Sequence, residues 1–148
     1  MSLLLTSSQQ EQVVAAIRSA ELVTSGEVRV HIETNCLESD VIEHAKQVFA
    51  DLGMHRTDLK NGVLFYLATD DRKFAVLGDK GINERVPDNF WNNVRDTMRA
   101  HFKKNEFAEG LSQGIQLAGE QLKTFFPRQA NDINELSPAL ADIYAVLQ

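Results

Sequence analysis

The segment that most constrains the fold is a run of six consecutive apolar residues, Val63 to Ala68, which follows the turn-forming pair Asn61-Gly62. A strand with one face in water alternates apolar and polar residues, whereas a strand covered on both faces does not. The run is also far shorter than the roughly 20 apolar residues that a membrane-spanning helix needs. It therefore predicts the central strand of a sheet that carries a layer of structure on each face.

The segments around this run predict an α/β fold. Glu27 to Thr34 alternates apolar and polar residues, as a half-buried strand does, and Glu38 to Gly53 has helical spacing with Asp40 at its start. Strand, helix and central strand then form a crossover unit with parallel strands. Phe74 to Leu77 follows after a short turn and must return antiparallel. The prediction is a mixed, mostly parallel β-sheet sandwiched between α-helices.

Further helices are predicted before and after the sheet. Ser8 and Glu11 have the spacing of a capping box, which predicts a first helix, and Pro87 suits the start of a later one. The last long helix is predicted to stop before Pro127, and its three glycines, Gly110, Gly114 and Gly119, favour close packing against another backbone. Residues 6–127 are thus predicted to form one α/β domain.

Residues 128–148 are predicted to be a polar connector followed by a short helix. Ser137-Pro138 offers an N-cap and a first-turn proline, and Leu140, Ile143 and Leu147 follow at helical spacing. The segment would suit docking on this domain or on another protein.

Charge and cysteine content limit the partners and the compartment. The chain has 148 residues and a formal net charge of −6, which disfavours nucleic acid and anionic lipid and favours divalent cations. Its single cysteine, Cys36, has no internal partner for a disulfide, and no signal-peptide core or membrane span is predicted. These features predict a cytoplasmic protein that does not insert into membranes.

An acidic segment from Thr69 to Asp88 carries the strongest candidate chemistry. Ca²⁺ and Mg²⁺ prefer carboxylate and carbonyl oxygens on loops that can wrap them, and Asn83 adds a neutral oxygen here. The segment contains five carboxylates, which are Asp70, Asp71, Asp79, Glu84 and Asp88.

The predicted hairpin separates these carboxylates into two groups. Asp70 and Asp71 would face the end of the first parallel strand, near Glu33 or Thr34, where ligands of parallel sheets usually bind. Asp79, Asn83 and Glu84 would lie at the other end of the sheet, near Asn61. Both groupings stay open, as does the simpler reading that these aspartates only form turns and caps.

Established phosphatase motifs are not found. Asp70 and Asp71 lack the one-residue separation of an aspartate-nucleophile enzyme, and Cys36 has Ile42 rather than arginine six positions on. The four histidines show no metal-binding pair on one helical face and are interpreted as mostly surface groups.

The order of these motifs resembles that of the TPM domain family, which takes its name partly from a thylakoid acid phosphatase and from photosystem repair proteins. The similarity covers Thr6 to Pro127. It depends on Thr24 to Val30, Lys60 to Ala68, Phe74 to Ile82, Phe90-Trp91 and Phe107 to Leu111. Many members carry a signal sequence or a membrane-spanning segment. Neither is predicted in this sequence, so the chain resembles a stand-alone branch of the family.

The resemblance implies phosphatase action, divalent-metal binding or a role in assembling membrane protein complexes. The leading hypothesis is a metal-binding accessory or protein-interaction module that holds Ca²⁺ or Mg²⁺ through Asp70, Asp71, Asp79, Glu84 and Asn83. The alternative is a metal-assisted acid phosphatase, in which a bound ion would polarise a phosphate ester and activate water.

Overall fold

The computed structural model of the chain describes residues 5–87 and 89–128. Its strands are β1 (Glu27–Glu33), β2 (Gly62–Ala68) and β3 (Lys73–Gly78). Its α-helices are α1 (Ser7–Val23), α2 (Val41–Asp51), α3 (Lys80–Asn83), α4 (Phe90–Phe102) and α5 (Phe107–Phe125), and a 3₁₀ turn spans Met54–Arg56.

The three strands form one sheet in the order β1-β2-β3. β1 runs parallel to β2, with Val30 opposite Phe65, and β3 runs antiparallel to β2, with Val76 opposite Phe65. Every residue of β2 is buried. The predicted mixed sheet and its fully covered central strand are therefore confirmed, with one parallel and one antiparallel pair.

Helices cover both faces of the sheet, as predicted. Phe65 and the other odd-numbered residues of β2 pack against the apolar stripes of α1, α4 and α5. Leu64, Tyr66 and Ala68 point the other way, into a smaller cluster under α2 that includes Met54. The sheet is thus the middle layer of three.

Particular residues explain where α1 and α2 start and why α1 and α5 pack closely. Asp40 caps α2 by accepting hydrogen bonds from the next helical amides, as predicted. The capping box of α1 is made by Thr6 and Gln9, so the predicted box at Ser8 and Glu11 was wrong by two residues. A Cβ on Gly119 of α5 would lie 2.9 Å from the Cβ of Ala20, so this glycine lets α1 and α5 approach closely.

Two parts of the sequence-based interpretation fall on residues outside the described ranges. These are Asp88 and, apart from Arg128, the connector and short helix predicted for residues 128–148, so the docking role of that helix stays a prediction. Within residues 5–87 and 89–128, no helix combines the length and apolar character that crossing a membrane requires.

Candidate functional site

The candidate metal ligands lie at opposite ends of the sheet, as the hairpin predicts. Asp70 and Asp71 occupy the turn after β2, at the end where β1 also finishes. Asp79 follows β3 at the other end, where its backbone N–H donates to the carbonyl of Gly62, 2.9 Å away. One ion therefore cannot contact both groups.

The end that carries Asp70 and Asp71 is formed by residues 34–40 and 69–72, which we call the carboxyl edge. Two hydrogen bonds link its two segments, and a third joins the adjoining Lys73 to the first of them. The Asp70 amide donates to the Thr34 carbonyl at 2.8 Å, and the Cys36 amide donates to Asp71 Oδ2 at 2.7 Å. Lys73 Nζ donates to the Glu38 carbonyl at 3.2 Å. The grouping of Asp70 and Asp71 with the end of β1 is thus what the structure shows.

At the opposite end, two of the three candidate ligands have structural roles. Asp79 caps α3, since its Oδ1 accepts from the Lys80 amide at 2.8 Å. Asn83 uses its whole amide group: its Nδ2 donates to the Gly78 carbonyl and its Oδ1 accepts from Trp91 Nε1, both at 2.9 Å. Glu84 is exposed just after the helix. The segment Gly78 to Gly81, interpreted from the sequence as a turn, contains the start of this short helix.

The described residues hold no preformed metal cage. Within residues 5–87 and 89–128, no three His, Cys, Asp or Glu side chains are placed to hold one ion together. Asp70 and Asp71 are nevertheless exposed, and the residues that the structure describes engage only one oxygen of Asp71. One or two carboxylates with several retained waters are the usual surroundings of Mg²⁺ in proteins. The carboxyl edge therefore fits a hydrated ion rather than an enclosed one.

Beside the carboxyl edge lies a polar cluster that we call the Glu33 network, made of His31, Glu33, Glu38, His44 and Tyr66. Glu33 Oε1 lies 3.0 Å from His31 Nε2, and Glu33 Oε2 accepts from the Tyr66 hydroxyl at 2.5 Å. His44 lies between two carboxylates, with Nε2 3.1 Å from Glu33 and Nδ1 3.1 Å from Glu38. The His31 ring stacks on Tyr66, with centroids 5.9 Å apart.

These contacts determine the charges in the network. Burial alone would lower the pKa of His44, but its hydrogen bonds to Glu38 and Glu33 outweigh burial and raise the pKa. Burial likewise would raise the pKa of Glu33, yet hydrogen bonds from Tyr66, His31 and His44 lower it. Burial and the neighbouring Glu33 carboxylate raise the pKa of Tyr66, so the phenol stays neutral. Since carboxylates only accept, both contacts of His44 require the imidazolium.

The Glu33 network was not recognised from the sequence. The four histidines were interpreted as mostly surface groups, but the side chains of His31 and His44 are only 14% and 21% exposed. The predicted strand–helix–strand crossover could have revealed this network, because the first turn of a crossover helix follows closely on the end of the preceding strand. Glu33 ends β1 and His44 lies in the first turn of α2, so this topology places them side by side.

The raised pKa of His44 predicts a specific pH dependence of stability. A histidine with a raised folded-state pKa stabilises the fold fully below its ordinary value of 6.5, and this contribution is lost as pH rises through the folded pKa. Glu33 acts in the opposite sense and loses its contribution as pH falls below 4.5 towards its lowered pKa. Both contributions are present between these two values, so the network stabilises the fold most strongly there.

Urea unfolding of the wild type and of the His44→Gln variant, at pH values within and above this window, tests the prediction. In the wild type, the free energy of unfolding should fall above neutral pH with a slope of at most about 1.4 kcal/mol per pH unit, the value for one proton. The slope should be absent in His44→Gln and retained in the exposed control His55→Gln. An unchanged slope in His44→Gln would show that another group is responsible.

Comparisons with known proteins identify a family that this chain matches. Residues 2–121 match the family model described as the TPM domain. The NMR structure of the BA42 protein from the psychrophilic bacterium Bizionia argentinensis is similar, with 45% identity, a TM-score of 0.84 and coverage of 91% of this chain and 92% of that one.

A more distant likeness shows the fold alone. The N-terminal domain of the cg2496 protein from Corynebacterium glutamicum is 13% identical, with a TM-score of 0.66 and coverage of 88% of this chain and 81% of that chain. Among curated proteins, none matches the chain. The match to the family model over most of the chain, supported by the similarity to BA42, leads to one conclusion: this chain belongs to the TPM domain family.

Proposed function

We propose that this TPM domain is an accessory or interaction module that binds a hydrated Ca²⁺ or Mg²⁺ ion at the carboxyl edge, through Asp70 and Asp71. The supporting observation is the joining of the β1–α2 loop to the β2–β3 turn by the Cys36–Asp71 and Asp70–Thr34 hydrogen bonds. Two exposed carboxylates are thereby held at the end of the parallel strand pair, where ligands of such sheets usually bind.

The second grouping of candidate ligands, Asp79, Asn83 and Glu84, is the weaker alternative for binding a hydrated ion. Asp79 Oδ2 is buried and has no hydrogen-bond partner among the described residues, while Oδ1 is used for capping. An ion that keeps its waters cannot reach a buried oxygen unless the loop opens. Asp79→Asn is therefore the natural variant for separating the two groupings.

An ion at the carboxyl edge would act on the loops rather than on the core. It would neutralise the repulsion between two adjacent carboxylates and tie residues 69–72 more firmly to residues 34–40. The shape and charge of this edge would then depend on the ion, which is the property that a cation-dependent interaction surface requires. Partners would bind more tightly to the ion-loaded form.

Backbone amide NMR during titration with Ca²⁺ or Mg²⁺ tests the proposal. We expect localised shifts in residues 34–40 and 69–72, with a dissociation constant of about 10⁻⁴ to 10⁻³ M, the range of weakly held Ca²⁺. Asp71→Asn and Asp70→Asn should each weaken binding about tenfold, since each removes a formal charge from the ligand set.

The matched controls carry the same change elsewhere. Asp51→Asn alters an exposed aspartate at the far end of α2, and it should leave the titration unchanged. Shifts confined to residues 79–84 that disappear in Asp79→Asn would show that the ion binds near Asp79 instead of at the carboxyl edge. If millimolar ion produced no localised shifts, the proposal would be wrong.

The competing function is metal-assisted hydrolysis of phosphate esters. One observation favours it: Cys36 contacts both Asp71 and Tyr66, so the proton-carrying groups of the Glu33 network lie beside the acidic turn. In the titrated samples, hydrolysis of p-nitrophenyl phosphate that requires the ion and is lost in both Asp71→Asn and His44→Gln would establish this function. Ion binding without such turnover supports the accessory role.

A further inference from the structure

A cavity of about 250 Å³ lies between the β2–β3 turn and the end of α4, on the opposite face of the sheet from the Glu33 network. None of the candidate metal ligands lines it. The lining residues are Leu67, Arg72, Phe74, Arg99, Phe102, Lys103 and Phe107.

The floor of this cavity is aromatic. Phe74 meets Phe102 edge to face with centroids 5.0 Å apart, and Phe102 meets Phe107 at 5.8 Å. Phe74 and Phe107 are only partly buried, so their rings are open to the cavity. A flat apolar group placed there would gain both buried area and ring contacts.

The rim of the cavity is cationic, although the chain carries a net charge of −6. Among the described residues, Arg72 and Lys103 make no ion pair, and Arg99 has only a long contact with exposed Asp96, at 3.5 Å. The Arg99 guanidinium lies 5.7 Å from the centroid of the Phe74 ring, which holds its charge over the floor.

Helix electrostatics explain only part of this arrangement. Arg99 and Lys103 lie at the C-terminal end of α4, where positive charge compensates the helix dipole. Arg72 comes from the β2–β3 turn and has no such role. Cations from two unrelated segments thus converge over one aromatic floor, and no carboxylate of the described part of the chain lines the cavity.

We propose that this cavity binds a small organic anion with an aromatic body, such as an aryl phosphate or aryl carboxylate. Its volume falls below the roughly 300–1,000 Å³ of pockets for drug-sized ligands, so it suits one ring with one charged group. The ring would lie against Phe74 and Phe107, and the anionic group would face the guanidinium and ammonium groups of the rim.

Titration of the full chain with phenyl phosphate, followed by backbone amide NMR, tests this inference. Shifts should concentrate in residues 67–74 and 99–107. Arg99→Met and Lys103→Met should each weaken binding about tenfold, because each removes one charge-assisted contact. Both side chains are exposed, so the spectra of the variants should otherwise match the wild type. Lys123→Met, which removes an exposed cation from α5, is the matched control and should bind normally.

Two further probes separate the contribution of the charge to binding from that of the ring. Benzyl alcohol has the ring without the charge and inorganic phosphate has the charge without the ring, and both should bind at least tenfold more weakly than phenyl phosphate. Equal binding of benzyl alcohol would overturn the role of the cations, and equal binding of phosphate would overturn the role of the floor. Phenyl phosphate shifts that are absent, or unchanged in Arg99→Met and Lys103→Met, would overturn the inference.

Discussion

Replacing Gly81 with alanine is expected to destabilise the protein by about 3 kcal/mol, the upper range for inserting a methyl group into a filled space. The added Cβ would lie 2.2 Å from the Leu59 carbonyl oxygen and 2.5 Å from that of Lys60. Both neighbours are backbone atoms, so relief requires a shift of α3 or of the loop before β2. At an unobstructed helical site the same change would stabilise the fold by roughly 0.5–1 kcal/mol.

Gly62→Ala is the matched control for this prediction. Its Cβ would meet Met54 at 3.4 Å, an ordinary contact, so we expect a loss within about 1 kcal/mol. Chemical denaturation of both variants gives the two free energies of unfolding. If Gly81→Ala proved no less stable than Gly62→Ala, the close approach of α3 to residues 59–60 would not constrain the fold.

The sheet could be predicted from the sequence because local patterns determine it. Val63 to Ala68 has no polar residue, so only a position with cover on both faces suits it, and the structure confirms this for β2. The short segment before Phe74 allows only a hairpin, which fixes β3 as antiparallel. The same hairpin correctly placed Asp71 and Asp79 at opposite ends of the sheet.

The chemistry of the site was harder to predict because it depends on distances between segments. Glu33 and His44 are eleven positions apart, and neither belongs to a motif. The cavity near Arg99 draws on β2, β3, α4 and α5, which no sequence pattern links. For Asp79 the sequence left metal binding and capping both open, because carboxylates serve equally as ligands and as caps, and the contact with the Lys80 amide shows the capping role.

Replacing Glu33 with alanine should destabilise the protein by about 3 kcal/mol, because it removes the acceptor of one buried hydroxyl and of two partly buried imidazoles at once. Tyr66 is fully buried, and its hydroxyl would lose the carboxylate that it contacts at 2.5 Å. His44 would keep only Glu38, and its raised pKa would fall. Glu43→Ala, on the same helix as His44, removes an exposed carboxylate and should cost no more than about 0.5 kcal/mol.

A double-mutant cycle with Tyr66→Phe shows whether this loss comes from the network. Phenylalanine removes the buried hydroxyl, so Glu33→Ala should cost at least 1 kcal/mol less in that background, a coupling of roughly the size measured for contacting groups. The pH dependence attributed to His44 should also weaken in Glu33→Ala, since half of the charge that favours the imidazolium is gone. If instead the two losses were additive, Glu33 and Tyr66 would act independently, and the network would be a set of separate contacts rather than one coupled unit.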